Sequence, residues 1–511
     1  MKKILSTICL IMLLQAYCYA NNLVIGNPTY NGTTNKITFT IKWDNSWRVN
    51  SGPSNWDAVW VFIKRQPCGA NGIWSHAVLS TTSSDHTVTG AYGLVADAVS
   101  DGMGVFIHRP AAANNAIGSL VTTSDVTLQL TSTYNPSLIG SSTSSDNFKV
   151  FGIEMVYVPQ GAFYIGDGRD VNSNNFSNGG NNAPKLINAT TQTNGLGVYS
   201  NYTSTPANGN IVGLPSTFPL GFNGFYCMKY EISQQQIVDY LNTLTYDQQK
   251  ARLAVWSTSR LPNVNGTYFS NALNSYRQEI KITTAGTDNT LPAVFGLTNA
   301  YNAFLPAGYL NWQDLTSYLD WSGLRPMTEF EYEKACRGTI DPVAYEFPWG
   351  NTIINTSNGA MSNNNSSSET MNITTDGLAH YNWDGGPIRS GFAATSKSNR
   401  SQSGATYYGI MEMAGNVFEQ CVGGGSGYNY ANFTTINGDG VLTNTGIANV
   451  DGWPINGGTN SGTIIRGGSF YITTSQNFQL QVSNRNYIGG QGINANNTRD
   501  RSTGGRGVRS Y

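Results

Sequence analysis

The residues best placed by type and spacing to do chemistry lie between Tyr407 and Cys421, in the stretch YYGIMEMAGNVFEQC. Glu412 and Glu419 flank Gly415-Asn416, a pair whose tolerance of positive φ suits a tight turn. Ile410, Met411, Met413, Val417 and Phe418 put apolar surface on both sides of that turn, so the stretch predicts a packed hairpin. A carboxylate set among apolar neighbours must find a partner or take up a proton, so these two acids are either salt-bridged or bound to a cation. Of the four histidines, His76, His86 and His108 lie early in the chain at spacings that suggest no metal triad, and imidazoles capping strand ends account for them better. The chain carries no nucleophile elbow, P-loop or dinucleotide fingerprint.

The elements that must position these groups can be read in chain order. Lys2 and Lys3 precede an apolar run from Ile4 to Leu14, and small residues follow around Ala20, so residues 1–20 read as a cleaved secretory leader. The run is short of the ~20 residues that a spanning helix needs. Of 29 basic side chains, Lys2 and Lys3 leave with the leader, so 30 acidic groups face 27 basic ones and nucleic acid is excluded as a partner. Abundant Gly, Asn, Ser, Thr and Tyr, with few charges, describe a loop-rich extracytoplasmic protein, secreted, periplasmic or at the cell surface.

Residues 21–150 read as an all-β sandwich. Lys36 to Trp43 and Val126 to Leu130 alternate apolar with polar residues, Ala58 to Ile63 is a buried run, and turn-forming clusters such as Asn31-Gly32 separate them. Ser141 to Asn147 reads as a linker into a second domain, 151–511, and Asn172 to Asn182 as a polar surface loop. Ser233 caps a helix running from Gln234 to about Leu244, and Thr328-Glu329-Phe330-Glu331 is a capping box opening a helix that Gly338 ends. From Thr463 to Tyr511, six arginines (Arg466, Arg485, Arg499, Arg501, Arg506, Arg509) stand against Asp500 alone. Guanidinium groups can cross-link loop carbonyls and meet carboxylates such as Glu331, Glu333 and Glu419, a structural role preferred here to anion binding.

Several landmarks fall in one order: Glu154 to Phe163 (EMVYVPQGAF), Phe225 to Ser233 (FYCMKYEIS), Leu324 to Glu333 (LRPMTEFEYE), Phe347 to Asn351 (FPWGN), the Glu412 to Glu419 stretch, Arg466 to Phe470 (RGGSF), and Gly507-Val508-Arg509. Together they resemble the sulfatase-modifying-factor family, also called formylglycine-generating-enzyme-like, a variant of the C-type-lectin fold. The implied architecture is α+β and loop-rich over 151–511, preceded by the all-β sandwich. Six cysteines reduce to Cys68, Cys227, Cys336 and Cys421 once the leader is removed. Pairing is open to them in an oxidising compartment. Cys227 and Cys336 nonetheless fall where the family pattern has ordinary apolar or small residues, so buried single thiols are the better reading.

The resemblance also implies chemistry. It assigns calcium-ligand roles to Glu412, Gly415, Val417 and Glu419, all hard oxygen donors, two of them through backbone carbonyls. Glu412 departs from the shorter side chain usual there, and the competing reading pairs Glu419 with a C-terminal arginine. The family's oxidases carry two cysteines shortly after R-G-G-S that bind copper(I) and convert a substrate cysteine to formylglycine. Here Ile472 and Asn477 stand at those positions, which leaves copper(I) no soft ligands. Around that place are Tyr471, Gln476, Asn484, Arg485, Asn486 and Tyr487, rigid aromatics and adaptable amides suited to a polar ligand. Two function classes follow. One is a non-catalytic, secreted or envelope-associated protein binding a glycan, peptide or protein partner; the other is a metal-dependent oxidoreductase of the formylglycine-generating type.

Overall fold

The computed structural model describes residues 23–511 except 68–72, 135–145, 170–174, 179–182, 191–195, 199–216, 254–274, 288–289, 357–360, 367, 372–374, 384, 395–398, 424–431, 458–461, 486 and 489–498. The architecture is mixed and strand-rich, with four α-helices among the described residues. Its first principal strand, β1 (Lys36–Lys42), buries Ile37, Phe39 and Ile41 at every second position, as the alternation predicts. Next comes β2 (Asp57–Gln66), whose apolar run is buried on both faces. It is followed by β3 (Val95–Ala98), β4 (Val105–His108), β5 (Ser124–Gln129) and the long β6 (Asn147–Val158).

Beyond β6 the chain forms β7 (Phe225–Met228), α1 (Gln234–Leu241), α2 (Tyr246–Arg252), α3 (Trp312–Trp321), β8 (Arg325–Pro326) and α4 (Glu329–Arg337). Further along the chain lie β9 (Phe418–Val422), β10 (Thr463–Arg466), β11 (Thr503–Gly504) and β12 (Gly507–Ser510). Capping boxes start all four helices: Ser233 with Gln236, Thr245 with Gln248, Asn311 with Asp314, Thr328 with Glu331. Gly338, at φ 71°, stops α4 where the sequence places its end. Among the described residues no helix is long and apolar enough to cross a membrane.

One antiparallel sheet organises the molecule, in the order β8, β12, β7, β6, β2, β4, β3. Residue parity decides what each face of β2 meets. Val59, Val61 and Ile63 pack with Ile37, Phe39, Val126 and Leu128 of the smaller sheet built on β1 and β5. Ala58, Trp60 and Phe62 point the other way, into a core that includes Ile237 of α1 and Leu315 and Tyr318 of α3.

The expected boundary at residue 150 therefore lies inside a continuous element. β6 pairs with β2 from Asn147 to Val156 and with β7 from Met155 to Val158. The smaller sheet built on β1 and β5 packs against this sheet, which runs on into the region after 150. Trp60 Nε1 donating to Ser322 O (2.8 Å) and Asn55 Nδ2 donating to Tyr408 O (2.7 Å) cross the same seam. A second sheet, with strands in the order Tyr487–Ile488, β10, β9, β11, carries Phe418 and Glu419 of the candidate site on β9.

Within the expected polar loop 172–182, Phe176–Asn178 is a short strand and Phe176 is fully buried. The remainder of that loop and most of the expected linker lie outside the described residues.

Candidate functional site

Gly415 (φ 87°) and Asn416 (φ 61°) make the expected turn. The hairpin around it does not form, because only the outgoing arm, β9, is a strand. The turn bonds to other loops instead: Gly415 N–H donates to Gly467 O, Asn416 N–H to His380 O, and Phe470 N–H to Asn416 O, at 2.7–2.8 Å. The Asn416 side chain completes the junction by accepting from Ile388 N (2.9 Å) and donating to Glu231 Oε2 (2.9 Å). Glu231 in turn accepts from Val417 N–H at 2.9 Å. A buried amide and a buried carboxylate, each satisfied by the other, thus clamp three chain segments together.

Glu419 meets Arg506. The guanidinium contacts both carboxylate oxygens at 2.5–2.8 Å and gives its other N–H groups to the carbonyls of Met228, Lys229, Met411 and Glu412. Burial raises the Glu419 carboxyl and the arginine pulls it back. Glu412 accepts from Gly391 N–H at 2.9 Å and adopts φ 52°. Burial pushes its carboxyl up to about 7 against the lowering effect of the Gly391 amide and Arg506. These donors do not fit the calcium ion that the resemblance implies. The Glu419 charge is already neutralised by Arg506, whose remaining N–H groups are taken by backbone carbonyls, that of Glu412 among them. Arginine pairing, the competing reading, describes this geometry.

The six expected ligand-binding residues separate. Tyr471, 44% exposed, and half-buried Gln476 reach a cleft of about 520 Å³. Arg485 does not: it is 0% exposed and donates Nε and Nη2 to Glu329 at 2.6 and 2.5 Å, with its guanidinium 4.0 Å from the Phe176 ring centroid. A guanidinium that is buried must be paired, and here Glu329 pairs it. Asn484 is buried beside it, Tyr487 pairs its backbone with Ile465 in the second sheet, and Asn486 lies outside the described residues.

Three further tail arginines are likewise anchored. Arg466 bridges Glu329 and Glu333, Arg499 meets Asp314 and Arg509 meets Asp101. Of the expected carboxylate partners, Glu333 and Glu419 take tail arginines, whereas Glu331 takes Arg325.

The cleft floor is Phe418, Ser469, Ile472, Gln479 and Ser502; its rim is Asn382, Trp383, Tyr471, Thr473 and Gln476. None of these is charged and none is a thiol. Backbone bonds fix the two walls: Asn382 N–H donates to Ile472 O and Trp383 N–H to Phe470 O, both at 2.9 Å. Asn382 and Trp383 were not singled out by the sequence, because nothing local ties them to a loop ninety residues downstream. Cys227, Cys336 and Cys421 are free and buried together in a different core cluster, and Cys68 lies outside the described residues. Burial pushes the Cys227 thiol up to about 12 and raises the other two as well. The cleft therefore offers copper(I) no soft donor.

Fold and site define a mixed, strand-rich domain in which short elements and ion-paired loops surround a cleft whose described lining is uncharged. The chain belongs to the family of the sulfatase-modifying factor enzyme 1-like domain, which matches residues 144–508. It is similar to a formylglycine-generating enzyme from Thermomonospora curvata, 30% identical over 122 residues, or 23% of this chain and 32% of that protein. A formylglycine-generating enzyme from Streptomyces coelicolor is 27% identical over 206 residues, 40% of this chain and 51% of the relative. The chain thus spans about a third to a half of the length of these curated relatives. Among solved structures, the Major Tropism Determinant U1 variant aligns over 85% of each chain at 12% identity, with a TM-score of 0.22, too low to carry an argument.

Proposed function

We propose that this protein is an extracytoplasmic, envelope-associated or secreted member of its family that works by binding a glycan, peptide or protein partner, and that it does not oxidise cysteine. The family resemblance supports a C-type-lectin-like scaffold for residues 151–511, and the leader-like pattern of residues 1–20 supports export. One observation carries the reading: the cleft flanked by the R-G-G-S segment is lined by amides, hydroxyls and aromatic rings, with Ile472 in its floor, while the described thiols are buried elsewhere and held protonated. Copper(I) chemistry needs thiolates at the place where substrate binds, and the cleft has none. Aromatic rings and adaptable amides are the side chains of choice for polar ligands in a partly open cleft.

The full chain is expected to form no aldehyde on a cysteine-containing sulfatase-motif peptide when supplied with copper and oxygen. Aldehyde above the metal-free control would overturn this reading in favour of the oxidoreductase.

A further inference from the structure

The cleft's side chains narrow the class of ligand. Every described residue lining the cleft is uncharged, and a site without charge gains nothing from an ionic group while still bearing the cost of stripping its water. Hydrogen-bonding groups are present on both walls, with the Asn382 and Gln476 amides and the Thr473 hydroxyl at the rim, and the Ser469 and Ser502 hydroxyls below. Gln476 accepts Thr473 N–H through Oε1 at 3.1 Å, which fixes the orientation of its amide.

Tyr471 is held as a plate. The Arg501 guanidinium lies 4.0 Å from its ring centroid and 4.5 Å from that of Tyr276, and donates to Tyr276 Oη at 2.6 Å. The Tyr276 and Tyr471 rings stand at 86° with centroids 6.3 Å apart. A ring fixed in this way loses little entropy when something stacks on it, and Trp383 adds a second aromatic surface at the rim. Neutral, flat-faced, rich in hydroxyls and able to lay C–H groups on an aromatic ring: these are the properties of an uncharged sugar.

Resting on the binding reading above, we infer that the cleft is a subsite for a neutral oligosaccharide, with Tyr471 as its stacking platform and the rim amides as its hydroxyl readers. The full chain would be screened against immobilised neutral trisaccharides, their sulfated counterparts and neutral peptides, and the hits measured by calorimetry. At least one neutral trisaccharide should bind, with affinity insensitive to 0.5 M salt. Tyr471→Ala should weaken it at least about tenfold, and Tyr471→Phe should preserve it to within about threefold. Because Tyr471 is exposed, an unchanged melting temperature is expected for both variants.

Loss of affinity in neither variant, binding that tracks sulfate, or no neutral sugar bound at millimolar concentration would overturn the inference. Capture of a neutral peptide by the same cleft would overturn it too, but would leave the binding reading standing. Aldehyde formation in the copper assay is the outcome that removes the binding reading itself.

Discussion

Replacing Arg485 by alanine should unfold the molecule more readily and should not act as a binding defect. The side chain is fully buried and its two donors sit 2.6 and 2.5 Å from Glu329. Breaking a buried pair by removing one partner leaves an uncompensated charge and costs about 3–5 kcal/mol. Glu329 keeps a bond to Arg466 at 3.0 Å, which places the loss near the lower end, about 3 kcal/mol. The guanidinium also lies over the Phe176 ring, 4.0 Å from its centroid, so that contact is lost with the charge. In urea, at a slope of about 3 kcal/mol/M, the midpoint should fall by roughly 1 M. Glu329→Gln removes the charge that Arg485 leaves behind, so the double variant should be more stable than the sum of the single losses, by at least about 1 kcal/mol. A midpoint that does not move, with additive single effects, would refute the assignment of Arg485 to the core and return it to the ligand surface.

Two further outcomes follow from the hairpin region. A chelator should leave the melting temperature unchanged, because Arg506 and not an ion neutralises Glu419; a fall on chelation that added calcium reverses would show that an ion binds the native state. Glu412, with an ordinary value of 4.5 and a folded value of about 7, holds a proton in the folded chain that the unfolded chain has released between those two values. Its contribution is therefore full below about pH 4.5 and is lost as pH rises through 7, by roughly 3 kcal/mol. Glu412→Gln should flatten the urea midpoint against pH between 4.5 and 8 relative to the parent, and parallel profiles would show that Glu412 is not titrating there.

How far the sequence reveals this molecule depends on whether the information is local. The period-two alternation of Lys36 to Trp43 and the capping residues Ser233 and Thr328 act within a few residues, and each appears in the structure where the pattern places it. The boundary expected at residue 150 falls inside β6: a composition change reports where turn residues cluster, whereas the sheet follows the pairing of β6 with β2, whose partners are some ninety residues apart. Tyr471 and Gln476 were legible as cleft residues because they sit in the segment after R-G-G-S. Arg485, only nine residues beyond Gln476, could not be told apart by residue type, since a ligand-reading arginine and a loop-locking arginine look alike until the carboxylate is found.

That carboxylate, Glu329, lies 156 residues earlier on α4. It was hidden for a related reason. A carboxylate in the first turn of a helix can rest in solvent beside the helix dipole, yet α4 is buried along its whole length, so Glu329, like the Glu333 already expected to meet an arginine, needs a cation from another segment. The tail arginines answer that need: Arg466 meets both acids and Arg485 meets Glu329. Their abundance against Asp500 alone is thus the counterpart of buried acids elsewhere in the chain. The one that escapes this accounting is Arg501, which takes aromatic rings instead of a carboxylate and thereby sets the plane of Tyr471 at the cleft.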